Sequence, residues 1–85
     1  MSQWDKLIAD ILALSPSVRF DDLKKVLERM GYVCKQPNGG SSHYTFRKEG
    51  CMPITIPKHS PLKKVYIELV ADAVSAYLEE AEQNG

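Results

Sequence analysis

Residues 42–57, SHYTFRKEGCMPITIP, decide the fold because they contain two β-prone runs separated by a short turn. In the first run, Tyr44 and Phe46 alternate with polar residues, which is typical of a strand that buries one face. Lys48-Glu49-Gly50 predicts the turn of a hairpin. The second run, Met52 to Ile56, predicts another strand, and the prolines within and after it favour a sheet edge because proline cannot donate a ladder hydrogen bond.

Two helices are predicted before this hairpin. The first cannot extend past Pro16, and its apolar residues fall on one helical face: Trp4, Leu7, Ile8, Ile11 and Leu12. The second is predicted from about Arg19 to Met30, with Gly31 as its expected stop. A further β-prone run, Tyr32 to Gln36, precedes a turn-forming Pro-Asn-Gly-Gly segment.

One more helix is predicted after the hairpin. Ser60 is its expected N-cap and Pro61 its first residue, and apolar residues keep helical spacing to about Glu80. The order α-α-β-β-β-α indicates an α+β fold whose helices cover one face of a three-stranded antiparallel sheet. We expect residues 1–85 to form a single domain that contains an N-terminal helix within 1–15, a core over 19–80 and a frayed tail over 81–85.

The composition is that of an ordinary globular protein, with 85 residues, 44% apolar and 26% charged. No apolar run approaches the roughly 18 residues of a membrane span, and the first residues lack the cationic start of a signal peptide. We therefore expect a cytoplasmic protein with no membrane partner. Cys34 and Cys51 are expected to be reduced, and the spacing of cysteines and histidines does not match a metal site.

The net charge of zero conceals a strong asymmetry along the chain. Residues 35–64 contain six basic residues and one acidic residue, whereas residues 65–85 contain five acidic residues and no basic one. This pattern fits a middle segment that faces a polyanion and a last helix that faces away from it. It fits equally well a solvated surface whose charges happen to segregate, and charge alone favours neither.

His43 is the most informative single residue. Strand alternation places it on the face opposite Tyr44 and Phe46, together with Thr45 and Arg47. Histidine is the side chain best suited to exchange a proton near neutral pH, and Arg47 on the same face could hold a phosphate. Taken by itself, a lone histidine on a strand is more often a passive surface residue than a catalytic one.

A second basic group precedes the last helix. His59 lies between Lys58 and Ser60, and Lys63 and Lys64 follow closely. The N-H groups at a helix start and nearby cations together favour phosphate binding. The simpler alternative is that Ser60 caps the helix and the lysines are only solvated.

These segments together resemble the HicA toxins, the ribonuclease halves of bacterial HicA–HicB toxin–antitoxin pairs. The resemblance covers about residues 19–78 and depends on the order and spacing of four short motifs: Met30-Gly31-Tyr32, Ser42-His43-Tyr44-Thr45-Phe46, Ile54 to His59 with the pattern Ile-x-Ile-Pro-x-His, and Leu62-Lys63-Lys64. In the family a Gly-Ser or Gly-Gly pair precedes the functional histidine. Here Ser41-Ser42 takes that place and the glycine is displaced to Gly40.

The resemblance implies a fold like the double-stranded RNA-binding domain, α-β-β-β-α, with an additional N-terminal helix. It also implies a metal-independent and cofactor-independent endoribonuclease that cleaves mRNA, with His43 as catalytic acid or base, and a HicB-like antitoxin protein as partner. The residues expected to contact RNA are Ser42, Arg47, Lys58, His59, Lys63 and Lys64.

Two other functions stay open at the level of sequence. A non-catalytic RNA-binding module would dock RNA by shape and backbone contacts, with His43 as one hydrogen-bond donor. A pure interaction domain would use the same exposed surface to bind a protein. Incubation with mixed RNA in the presence of EDTA separates the three, because they predict cleavage, retention without cleavage, and neither.

Overall fold

The computed structural model describes residues 3–35, 42–59 and 61–84. Within these residues the chain forms three helices and three strands in the predicted order. The elements are α1 (Gln3–Leu12), α2 (Phe20–Arg29), β1 (Val33–Lys35), β2 (His43–Arg47), β3 (Ile54–Pro57) and α3 (Lys64–Asn84). The α+β class is therefore confirmed. No helix in this part of the chain is long and apolar enough to cross a membrane.

The three strands form an open antiparallel sheet in the order β1-β2-β3. Tyr44 lies opposite Ile56, and Phe46 lies opposite both Ile54 and Cys34, so these residues share the inner face. Among the described residues β3 pairs only with β2, which confirms its predicted position at the sheet edge. Its last residue, Pro57, lacks the N–H that a central strand would need.

The core joins the inner face of the sheet to all three helices. Phe46 is fully buried, and the Phe20 ring of α2 lies 5.0 Å from the Tyr44 ring and 6.3 Å from the Phe46 ring, centroid to centroid. The other large side chains with no exposed surface come from every layer: Ile11, Leu23, Val26, Leu27, Ile56, Val70 and Val74. Because Ile11 of α1 is among them, the N-terminal helix belongs to this core.

The connection from α2 to the sheet is set by Gly31, as predicted. Gly31 has φ of 106°, a left-handed conformation that glycine adopts without strain. Its N–H donates to the Glu28 carbonyl, and the Tyr32 N–H donates to the Leu27 carbonyl, so each of these carbonyls at the helix end gains a bond in place of the usual one from the residue four positions on. The chain therefore turns directly from α2 into β1.

Both ends of α3 differ from the prediction. The helix begins at Lys64 rather than Pro61, and the Tyr66 N–H donates to the Lys63 carbonyl at 3.1 Å. Leu62 packs partly buried against the core in the segment before the helix, which separates Pro61 from the first helical turn. At the other end the helix continues to Asn84, where fraying was expected from Ala81, because residues 79–84 contain no glycine or proline and include three glutamates and an alanine.

Several smaller predictions have defined outcomes. β1 begins at Val33, one residue later than predicted, and β3 runs over Ile54–Pro57 where Met52 to Ile56 was expected. The predicted turn at 37–40 and the Ser60 cap lie outside the described residues. The likeness to a double-stranded RNA-binding domain stays a prediction.

Removal of the Phe46 ring should destabilise the protein strongly. We expect Phe46→Ala to lower the free energy of unfolding by about 3–5 kcal/mol, because it leaves a cavity between the sheet and α2. Val33→Thr is the control, since Val33 is 61% exposed and should change stability by no more than about 0.5 kcal/mol. Urea denaturation followed by circular dichroism measures both, and equal midpoints for the two variants would contradict this packing.

Candidate active site

His43 is the first residue of β2 and is exposed to solvent. Its neighbour Tyr44 turns toward the core, so alternation places the His43 imidazole on the outer face of the sheet. Pro57, the last residue of β3, lies directly opposite it. The predicted orientation of His43 is therefore confirmed.

Two backbone hydrogen bonds hold the chain after β3 close to His43. The Lys58 N–H donates to the Ser42 carbonyl at 2.8 Å, which extends the β2–β3 pairing by one residue. The His59 N–H then donates to the Pro57 carbonyl at 3.0 Å, forming a three-residue turn. This turn brings His59 back beside the start of β2.

His43 and His59 border the same cleft, which has a volume of about 290 Å³. Its polar groups come from three parts of the chain: His43 from β2, His59 and Lys63 from the β3–α3 segment, and Tyr66 from the first turn of α3. Its apolar surface comes from Pro57, Pro61 and Leu62. The cleft therefore combines two imidazoles and one ammonium group with no carboxylate among its lining residues. We refer to it below as the histidine cleft.

A larger cleft of about 500 Å³ adjoins the histidine cleft. It lies between residues 16–21 on one side and residues 58, 59, 61 and 62 on the other, and the two clefts share His59, Pro61 and Leu62. Lys58 borders this larger cleft, and its ammonium nitrogen lies 6.0 Å from the centroid of the Phe20 ring. His59 therefore stands at the boundary between two neighbouring spaces.

The remaining predicted site residues are spread more widely. Arg47 is exposed on the same sheet face as His43, but four residues along β2 at roughly 3.3 Å per residue separate them by about 13 Å. Arg47 therefore lies outside the immediate surroundings of His43. Ser42 is half-buried and its carbonyl accepts from Lys58, whereas Lys64 is exposed at the start of α3 outside the histidine cleft.

Tyr66 is a site residue that sequence reasoning missed. Helical spacing places it in the apolar stripe of the last helix, and its half-buried side chain does pack against the core, but it also lines the histidine cleft. The usable signal was its position three residues after Lys63, since the Tyr66 N–H donates to the Lys63 carbonyl at the start of α3.

The cysteines lie outside this site. Cys34 and Cys51 are free thiols, as predicted, with Cys34 half-buried on β1 and Cys51 exposed after β2. Burial raises the pKa of Tyr32, and a hydrogen bond to Cys51 raises it further. Among the described residues no group of three His, Cys, Asp or Glu side chains is arranged to hold a metal ion.

Comparison of the chain with known proteins finds no matching family model, no matching curated protein and no matching solved structure.

The two thiols should differ in reactivity. Burial raises the pKa of Cys34, with Lys24 opposing the shift and Glu28 adding to it, so little of this thiol is ionised at mildly alkaline pH. Because the thiolate is the reactive form and Cys51 is exposed, we expect iodoacetamide to modify Cys51 first. Peptide mass spectrometry over a time course measures this order, and Cys34→Ser and Cys51→Ser are the matched controls. Faster modification of Cys34 would show that β1 opens readily.

Proposed function

We propose that this chain is a metal-independent endoribonuclease of the kind formed by HicA toxins, acting on mRNA, with His43 as the proton acceptor. The observation that carries the proposal is the histidine cleft, in which an exposed His43 on a sheet strand borders the same space as His59 and Lys63. The resemblance of the motifs at Ser42–Phe46 and Ile54–His59 to that family supports the same assignment.

The proposed reaction uses a nucleophile that the substrate itself supplies. His43 removes the proton from a ribose 2′-hydroxyl, and the 2′ oxygen forms a bond to the adjacent phosphorus. The bond from phosphorus to the 5′ oxygen breaks, which leaves a 2′,3′-cyclic phosphate and a 5′-hydroxyl. DNA lacks the 2′-hydroxyl, so the chemistry restricts the substrate to RNA.

The surroundings of the cleft favour a phosphate group. α3 has no acidic residue in its first turn, and Lys63 and Lys64 stand at that end, where unpaired N–H groups and the helix dipole also favour an anion. Three of the five acidic residues of this helix, Glu79, Glu80 and Glu82, lie near its opposite end, about 25 Å away at 1.5 Å per residue, whereas Glu68 and Asp72 lie within about 12 Å of Lys64 along the helix. The position of the three distant glutamates supports the polyanion-facing interpretation of the charge pattern.

The proposed toxin also requires control by a protein. A HicB-like partner would inhibit by covering the histidine cleft, because His43 and His59 are both exposed and RNA would reach them from solvent. Its acidic groups would face Lys58, Lys63 and Lys64, and charges of this kind mainly accelerate association.

Substitution of His43 tests the proposal directly. We expect His43→Ala and His43→Gln to reduce RNA cleavage in EDTA by about 10²–10⁴-fold, because neither can accept the 2′-hydroxyl proton at neutral pH. The free energy of unfolding, measured by thermal melting, should change by no more than about 0.5 kcal/mol, as is usual for an exposed substitution. Cleavage of a labelled mRNA fragment, with Lys25→Ala on the exposed surface of α2 as control, measures the loss.

Two results would argue against the ribonuclease. A folded His43→Ala protein that cleaves RNA at the wild-type rate would remove His43 from the mechanism. A wild-type protein that retains RNA on a filter but never cleaves it would favour the non-catalytic RNA-binding module.

Lys63 should contribute one phosphate contact. We expect Lys63→Ala to weaken binding of RNA whose 2′-hydroxyls are methylated, which prevents cleavage, and to reduce the magnitude of the slope of log K against log salt concentration by about 0.7. Lys25→Ala is the charge-matched control and should leave the slope unchanged. Fluorescence anisotropy at several salt concentrations measures both slopes, and equal slopes for the two variants would exclude Lys63 from the phosphate site.

A further inference from the structure

The reaction proposed above requires two proton transfers at different oxygens. One group must take the proton from the 2′ oxygen as it attacks, and another must give a proton to the 5′ oxygen as it leaves, because an alkoxide is a poor leaving group. A single neutral histidine can do the first but has no proton for the second until the first is complete.

His59 is placed for the second transfer. It borders the histidine cleft together with His43, but it comes from the segment after β3, so the two imidazoles belong to different parts of the cleft wall. The hydrogen bonds from Lys58 to Ser42 and from His59 to Pro57 fix the backbone of this segment against the start of β2. Such a fixed backbone gives a side chain the positional definition that proton transfer needs.

The other groups around the cleft are less suited to donate. Lys63, just before α3, and Tyr66 of α3 complete its polar lining, and the adjoining larger cleft adds Ser17, Arg19, Asp21 and Lys58. Hydroxyl, phenol, ammonium and guanidinium groups in general hold their protons strongly near pH 7, and an aspartate is ordinarily ionised there and has none to give. Imidazole is the side chain that exchanges protons in this range.

The position of His59 between the two clefts is an independent observation that agrees with this role. Attack and departure occur on opposite sides of the phosphorus, so the two nucleosides joined by the scissile phosphate extend in different directions. The nucleoside with the attacking 2′-hydroxyl would lie in the histidine cleft beside His43. The leaving nucleoside would lie in the larger cleft, which at about 500 Å³ is the roomier of the two and is also bordered by His59.

We propose that His59 is the catalytic acid that protonates the leaving 5′ oxygen, paired with His43 as the base; this inference rests on the proposed ribonuclease function. His43 gains the proton from the 2′-hydroxyl and His59 loses one to the 5′ oxygen, so the protein's net proton count is unchanged. His43 must start neutral and His59 protonated. A plot of cleavage rate against pH should therefore show a maximum, with one side set by titration of the base and the other by titration of the acid. The side set by the acid should disappear in His59 variants.

A substrate with a better leaving group separates an acid from a phosphate-binding residue. The probe is a short RNA containing the linkage that the wild-type protein cleaves, synthesised with sulfur in place of the bridging 5′ oxygen, because a thiolate leaves without being protonated. We expect His59→Ala and His59→Asn to cleave ordinary RNA about 10²–10⁴-fold more slowly than wild type and to approach the wild-type rate on the sulfur RNA. His43→Ala should cleave both substrates slowly, and so should Lys63→Ala, the control for loss of a phosphate contact. For each of these two variants the rate relative to wild type should be the same on ordinary RNA and on the sulfur RNA.

The possible outcomes distinguish this inference from the function on which it rests. His59 variants that are equally impaired on both substrates would make His59 a phosphate contact, and variants that cleave ordinary RNA normally would give it no role; either result overturns the inference while leaving the ribonuclease intact. A wild-type protein that cleaves neither substrate would overturn both. Because His59 is exposed, the melting temperature of its variants should match wild type, and the two substitutions together guard against a change specific to one side chain.

Discussion

The contact between the Phe46 ring and the Phe20 ring governs the arrangement of the rest of the molecule. Phe46 lies on the central strand, is fully buried, and has cross-strand partners on both sides, so both edge strands and α2 meet at this one side chain. Because side chains alternate across a strand, burial of Phe46 and Tyr44 forces His43 and Arg47 outward. A register slip of one residue would bury the imidazole and expose the aromatic rings, at the cost of most of the core.

The same constraint carries through to the site. β3 must place Ile54 and Ile56 opposite the aromatic residues of β2, which sets its register and brings Pro57 opposite His43. The bond from the Lys58 N–H to the Ser42 carbonyl extends that register beyond the strands. Residues 43 and 59 are far apart in sequence, yet hydrophobic burial of the strand interiors makes them neighbours. A site supported in this way by strands is better defined than one built on loops alone.

The sequence predicted the parts of this arrangement that depend on periodicity and left out those that depend on three-dimensional packing. Alternation was sufficient for the orientation of His43, and the missing N–H of Pro57 was sufficient for the edge position of β3. The start of α3 could not be predicted, because an N-terminal proline signal at Pro61 competes with the burial of Leu62, and packing decides that competition. Tyr66 packs against the core as its helical spacing predicts, whereas its place in the lining of the histidine cleft depends on the packing of α3 and could not be predicted.

Sequence patterns also could not predict distances along the sheet. Alternation correctly assigned His43 and Arg47 to one face, but face alone does not say that about 13 Å separates them at roughly 3.3 Å per residue. Conversely, nothing in the spacing of His43, His59 and Lys63 indicates that they share a cleft; that follows from the hairpin register and from the turn at Pro57–His59.

The last helix separates basic from acidic residues in a protein whose net charge is zero. Its basic end borders the histidine cleft and its acidic end extends away from it, and the continuation of the helix to Asn84 increases that separation. Coulomb interactions between exposed charges are largely screened beyond about 8–10 Å at physiological salt, so a phosphate at the cleft interacts with Lys63 and Lys64 and scarcely with the distant glutamates. The net charge of zero therefore does not describe the lining of the histidine cleft, which contains Lys63 and no carboxylate. In the proposed ribonuclease, the acidic end would disfavour the approach of RNA to that end of the helix, and the lysines at the other end would favour its approach to the histidine cleft.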